Sequence, residues 1–185
     1  MPKKDLSVKY LGLKLKNPLI ASSSPLTATV DKIIQLEKAG IGAVVLKSIF
    51  EEQIAGESEM LNRYSDYPEA ADYLRTYVGS DYLSGFTTLI KDAKEHTSIP
   101  IIASINCASE GKWIEYARKI EDAGADALEL NIFFLPSSTR QKSSDIEEQY
   151  LDIAAKVAEE VSIPVSVKLS RRFTNILYMV DALYN

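Results

Sequence analysis

Two periods of hydrophobicity divide this chain, and the change between them falls at Pro18. Before it, residues 6–17 read LSVKYLGLKLKN, with Leu6, Val8, Tyr10, Leu13 and Leu15 on one face and Lys9, Lys14 and Lys16 on the other. A period of two with a central glycine predicts a half-buried β-hairpin within residues 1–16, turning near Gly12. After Pro18 come short, nearly continuous apolar runs: PLIASS, AVVLKSI, PIIASIN, ALELNIF and PVSVKLS. Runs of this kind are strands covered on both faces, as in a parallel sheet.

Helical patterns lie between them. In TVDKIIQLEKAG, Thr29 is placed as an N-cap, Val30, Ile33, Ile34 and Leu36 form an apolar stripe, and Gly40 is the stop. KWIEYARKIEDAG puts Trp113, Ile114, Ala117 and Ile120 on one face before Gly124. DIEEQYLDIAAKVAEEV opens at Asp145 and repeats apolar residues from Ile146 to Val161.

The joints repeat as well. KAGIGAVVLKS matches DAGADALELNI, and SIPIIASIN matches SIPVSVKLS. Each proline ends a helix and allows the chain into a sheet only at a strand's first residue. Strand–helix alternation with repeated joints predicts a barrel or a doubly wound sheet. The chain has no G-x-G-x-x-G after its first strand, which argues against a Rossmann dinucleotide site. Five strand candidates do not close a (β/α)8 barrel, whose eight strands take about 250 residues. The expectation is one α/β domain over residues 1–185 that holds about five βα units. Its last segment, FTNILYMVDALYN, reads as a fifth helix. The polar, tyrosine-rich residues 51–82 are too long for an ordinary connection and are read as an insertion covering a site.

Composition narrows the chemistry. With 46% apolar and 25% charged residues the chain is ordinary for a globular protein, and a net charge of -5 speaks against nucleic acid as a partner. One cysteine, Cys107, and one histidine, His96, exclude an internal disulfide framework and a Cys/His zinc site. No stretch approaches the roughly 20 apolar residues of a membrane span, and the N-terminus lacks a signal peptide's apolar run. A cytoplasmic location is expected.

Sites in parallel α/β sheets gather at the carboxyl ends of the strands. Those ends carry residues 22–24, Lys47 and Ser48, Ser104 and Asn106, Asn131, and Lys168 and Ser170. A lysine within a Val/Leu strand is expensive to bury without compensation, so Lys47 and Lys168 either meet an anionic ligand or extend their ammonium groups to solvent. Asn106 and Asn131 either bind a ligand or satisfy loop backbone groups. Cys107 and Trp113 are expected in the core, and His96 in a helix-to-strand connection. Arg171 and Arg172 either bind an anion or are solvated.

These residues also carry a resemblance. NPLIASSS, AVVLKS, ALELNIF and PVSVKLS are similar, in order and spacing, to motifs of the dihydroorotate dehydrogenase family. The resemblance implies a (β/α)8 barrel of TIM type, here incomplete, with an N-terminal hairpin closing the bottom. It also implies an FMN-dependent oxidation of dihydroorotate to orotate in pyrimidine biosynthesis. Carried over by position, it places Ser23, Ser24, Lys47, Asn106, Asn131 and Lys168 as cofactor-binding residues, with Lys47 and Asn131 also toward substrate. The family's proton-abstracting Cys or Ser falls at Phe134, or at Leu135 with one insertion, and neither residue titrates. Ser137 and Ser138 replace that base only if the loop is rebuilt. The substrate loop Asn-Ser-Met-Gly-Leu and the Gly-rich phosphate loop G-T-G-G are absent from the sequence.

The expected partner is a small molecule, and the open barrel edge implies a homo-oligomer or another edge association. A flavin-dependent oxidoreductase related to that family, acting on dihydroorotate or on an altered substrate, is the leading expectation. The alternatives are a non-catalytic remnant that binds a nucleotide-like anion or a partner chain, and an aldolase-like barrel with Lys168 as a Schiff-base lysine.

Overall fold

The structure, a computed structural model, describes residues 4–51, 69–107 and 110–185. The chain opens with a hairpin of β1 (Val8–Tyr10) and β2 (Leu13–Leu15), paired antiparallel with Val8 opposite Leu15 and Tyr10 opposite Leu13. Leu11 and Gly12 at its tip have φ of 50° and 74°, the left-handed pair that suits the twist of a two-residue hairpin turn.

The parallel strands follow as β3 (Ile20–Ala21), β4 (Ala43–Val45), β5 (Ile49–Phe50), β6 (Ile101–Asn106), β7 (Ala127–Leu130) and β8 (Val165–Val167). Helices α1 (Val30–Lys38), α2 (Glu69–His96), α3 (Glu110–Asp122), α4 (Ser143–Glu160) and α5 (Ile176–Tyr184) alternate with them. The sheet runs β3-β4-β6-β7-β8, all parallel, with β5 adding to β6 beyond β4. Every new strand joins on the same side. A doubly wound sheet would reverse that order and place helices on both faces, so the architecture is an incomplete TIM-type barrel.

The two faces are filled differently. Ile33 of α1, Phe86 and Ile90 of α2, Trp113 and Ile120 of α3, Tyr150 and Val157 of α4 and Met179 of α5 all pack with Val44, Ile101, Ile105, Leu128 and Leu130 on one face. On the other face, at the amino ends of the strands, Leu15 is fully buried with Ala43, Val45, Ile102 and Ala127. The hairpin therefore closes the bottom. Its first strand differs from the half-buried pattern expected: Leu6, Val8 and Tyr10 are exposed, because β2 alone reaches the sheet. Asn17 fixes the exit from the hairpin, donating Nδ2–H to Gly40 O at 2.8 Å and accepting Leu19 N–H at 3.0 Å. Gly42 lies so near that a Cβ there would sit 2.3 Å from the Asn17 carbonyl oxygen.

The repeated joints are repeated contacts. Glu37, at the end of α1, accepts both the N–H and the hydroxyl of Ser98. Glu121, at the end of α3, accepts the N–H and hydroxyl of Ser162 and the N–H of Ile163. The prolines that follow lack an N–H, but Pro100 O accepts Val44 N–H and Pro164 O accepts Leu128 N–H, which sets the register of β6 and β8 against their neighbours. Hydrogen bonds to their serines hold both carboxyls below their ordinary value of 4.5.

Several sequence-based expectations change. Thr29 is the N-cap of α1 but makes no side-chain cap bond. Helix α4 starts at Ser143, before Asp145, whose carboxylate reaches back to Lys142 N–H at 3.4 Å. Within the insertion at residues 51–82, residues 52–68 lie outside the described residues, and from Glu69 the chain is already in α2. Among the described residues no helix is long and apolar enough to cross a membrane.

Two outcomes are expected. Leu15→Ala should lower unfolding free energy by about 2–5 kcal/mol in urea titration, since it empties the plug under the strands. Because Glu37 and Glu121 have folded pKa values below their unfolded ones, they stabilise the fold above about pH 4.5, and that contribution fades as pH falls through the folded values. Glu37→Gln/Glu121→Gln should therefore be less stable than the parent at pH 7 and lose less stability on acidification, read as Tm against pH.

Candidate functional site

The concave face is organised in layers, because side chains in a strand alternate and neighbouring strands are in register. The lowest layer is the apolar set around Leu15. One step up, Ser104 of β6 stands opposite Glu129 of β7, and Glu129 opposite Ser166 of β8. One step further, the same alternation brings Asn106, Asn131 and Lys168 to the carboxyl ends. The face passes from hydrocarbon to polar within a few residues of each strand.

A single hydrogen-bonded line crosses the middle layer. The hydroxyls of Ser23 and Ser48 are 3.1 Å apart, and Ser48 N–H donates to Ser23 Oγ at 2.9 Å. Ser48 Oγ lies 2.7 Å from Ser104 Oγ, Ser104 Oγ–H donates to Glu129 Oε1 at 2.9 Å, and Lys168 Nζ stands 3.6 Å from the same carboxylate oxygen. Ser48 reaches this line through an irregularity in its strand. Val45 pairs with Ile102 and Ile49 with Ile105, so three residues of one strand span two of the other. Such a bulge re-aims side chains at a strand end.

The residues expected at the site are placed as follows. Ser23 joins the line. Ser24 caps the short 3-10 turn Pro25–Thr27, accepting Leu26 N–H at 3.2 Å, and so is engaged locally. Asn106 donates Nδ2–H to Asn131 O at 2.6 Å, and Asn131 N–H donates to Ile105 O at 2.8 Å. The backbone of Asn131 is thereby satisfied on both sides, and its half-buried amide bonds to none of the other described residues. Lys168 keeps 47% of its side chain exposed. Lys47 does not meet it. The two lysines share one end of the sheet but stand three strand spacings of about 4.8 Å apart. Lys47 instead borders a cleft of about 400 Å³ with Ala28, Ser48 and, from α2, Tyr82, Phe86 and Leu89.

The loop after β7 has no titrating group at the position expected for a base. The Phe134 ring packs edge-on against Tyr150 at 5.5 Å, and Tyr150 in turn against Phe173 at 5.1 Å, on the helix-covered side. Tyr150 donates its hydroxyl to Ile132 O at 3.1 Å, and burial pushes its phenol up. Ser137 and Ser138 are exposed in a turn in which Ser138 Oγ accepts Arg140 N–H at 3.2 Å. Arg172 stacks its guanidinium over exposed Phe133, 5.7 Å from the ring centroid. Cys107 is buried, and burial pushes its thiol far up, so it is no nucleophile.

Sequence reasoning overlooked Glu129. The signal was present: a carboxylate in the apolar run ALEL is as costly to bury as the lysines in VVLKS and SVKLS.

Solved structures resemble this fold at low identity. A dihydrodipicolinate synthase family protein of Coccidioides immitis aligns over 91% of this chain and 49% of its own, with a TM-score of 0.54 and 14% identity, a likeness of fold alone. Sequence similarity is more specific. The catalytic subunit of dihydroorotate dehydrogenase B (NAD(+)) from Thermoplasma acidophilum is 29% identical over 96% of this chain and 58% of that protein. The corresponding subunit from Methanocella arvoryzae is 31% identical over 89% of this chain and 53% of its own length. The NAD-dependent dihydropyrimidine dehydrogenase subunit PreA of Escherichia coli is 26% identical over 77% of this chain and 36% of that protein. The chain thus spans little more than half the length of these two dihydroorotate dehydrogenase subunits and about a third of PreA. Residues 5–182 match the sequence profile described as Dihydroorotate dehydrogenase, and the chain belongs to that family.

Proposed function

We propose that this chain is the flavin-side part of an FMN-dependent oxidoreductase related to dihydroorotate dehydrogenase, with a substrate other than dihydroorotate. The observation that carries the reading is the Asn131 amide, which bonds to none of the other described residues, beside the half-exposed ammonium of Lys168 at the carboxyl ends of β7 and β8. Bound FMN would supply two-electron redox chemistry. Its pyrimidine side presents imide-like donors and acceptors, which an amide able both to donate and to accept matches. Lys168 supplies positive charge where negative charge would develop on reduction, and such charge acts strongly in a site closed to water. Ser23, Lys47 and Asn106 border the same end of the sheet.

The altered substrate follows from the β7 loop. Phe134 is turned onto Tyr150, and Ser137 and Ser138 lie exposed in a turn, so no described residue of that loop stands on the concave face as a base. The same observation favours one second reading, a non-catalytic barrel portion that binds a nucleotide-like anion or a partner chain. The Schiff-base reading is disfavoured because Lys168 is ion-paired with Glu129, whereas a nucleophilic amine must be uncharged. Association through the edge of β8 belongs to the proposal too, and is supported by exposed Leu177, Tyr178 and Val180 on α5.

The test is to mix the purified chain with FMN, remove the excess, and record the visible spectrum and stoichiometry. Retained flavin that Lys168→Ala weakens by about tenfold in Kd, the order expected of one charge-assisted contact, is the anticipated result. A folded chain that remains colourless would count against a flavin site formed by these residues. Repeated bleaching and recovery of flavin absorbance with a candidate substrate separates the enzyme from the non-catalytic reading.

A further inference from the structure

Protons in the line from Ser23 to Lys168 have only one consistent arrangement. An ionised carboxylate accepts and cannot donate, so the Ser104 hydroxyl must spend its single proton on Glu129. Ser104 Oγ then receives from Ser48, which spends its own proton at 2.7 Å. Ser48 Oγ in turn receives from Ser23, while Ser48 N–H donates back to Ser23 Oγ. All three hydroxyls point the same way, toward Glu129.

A carboxylate with 18% of its side chain exposed is thus held from one side by the Ser104 hydroxyl, which is backed in turn by those of Ser48 and Ser23, and from the other by an ammonium. The two contacts differ in kind. The serine contact at 2.9 Å is a hydrogen bond with a fixed direction, whereas the 3.6 Å approach of Lys168 is an ion pair without a tight bond. The serines therefore fix the carboxylate, and the carboxylate steers the lysine while leaving its N–H groups for a ligand. An ammonium on a four-carbon stem has no rigidity of its own.

We propose that Glu129 is the positioning residue for Lys168, with Ser23, Ser48 and Ser104 as the directed hydroxyl chain that fixes its carboxylate. The consequence for flavin rests on the function proposed above, while the Glu129–Lys168 coupling does not.

The experiment is competitive trace acetylation of the folded chain with acetic anhydride, comparing Lys168 with exposed Lys142 by mass spectrometry. Glu129→Gln removes the charge at nearly constant shape and should raise the relative labelling of Lys168 at least threefold. Glu129→Asp keeps the charge but withdraws it by one methylene and should give an intermediate value. Ser104→Ala, which leaves the carboxylate but frees it, should move labelling in the same direction by less, and it carries the test if Glu129→Gln does not fold. Unchanged Lys168 labelling in the folded variants would overturn the proposal.

FMN titration supplies a second arm. Glu129→Gln should weaken binding about as much as Lys168→Ala, and Glu129→Gln/Lys168→Ala no more than Lys168→Ala alone. Additive losses would overturn the coupling. Failure of the parent chain to bind FMN would count against the flavin reading only, and labelling would still decide the role of Glu129.

Discussion

A strand with helices on one side must still do something with the residues that point to the other, and here the concave face sets the terms for the rest of the molecule. Its lower part is apolar and is closed by Leu15 from the hairpin. Its upper part carries serine, glutamate, asparagine and lysine, which are costly to bury unpaired. The polar groups are satisfied mainly by one another across strands, through side chains set level by the parallel register. The backbone ladder, with Pro100 O and Pro164 O among its first acceptors, sets that register, and the register makes the line of hydroxyls possible.

The joints between units show the same economy on the opposite end. Glu37 and Glu121 hold the serines that precede β6 and β8, and the carbonyls of Pro100 and Pro164 are taken up by β4 and β7. One device is used twice, in units that share the sequence Ser-Ile-Pro. Repetition at the amino ends of the strands keeps the scaffold regular. At the carboxyl ends the units diverge: β4 ends in a bulge with Lys47 and Ser48, whereas β7 ends in Asn131 and an aromatic loop.

That divergence is where the proposal of an altered substrate rests. Asn131 and Lys168 stand at the carboxyl ends of β7 and β8, while the loop beyond β7 is built of Phe133, Phe134 and Leu135, and Phe134 packs in a stack with Tyr150 and Phe173. The Phe134 side chain thus serves packing on the helix-covered side.

Much of the architecture was legible in the chain of letters. Period-two alternation located the hairpin, continuous apolar runs located the parallel strands, and Gly and Pro marked their joints, because these signals report local geometry and burial that each segment needs wherever it lies. The strand ends likewise placed Ser23, Asn106, Asn131 and Lys168 at one end of the sheet. Pairing across strands was not legible. That Glu129 meets Ser104 and Lys168, that Asn106 is spent on Asn131 O, that Ser24 serves a local turn and that Lys47 stands apart from Lys168 are facts of register and bulge. Register depends on residues brought together from distant parts of the sequence, so only the tertiary structure decided them.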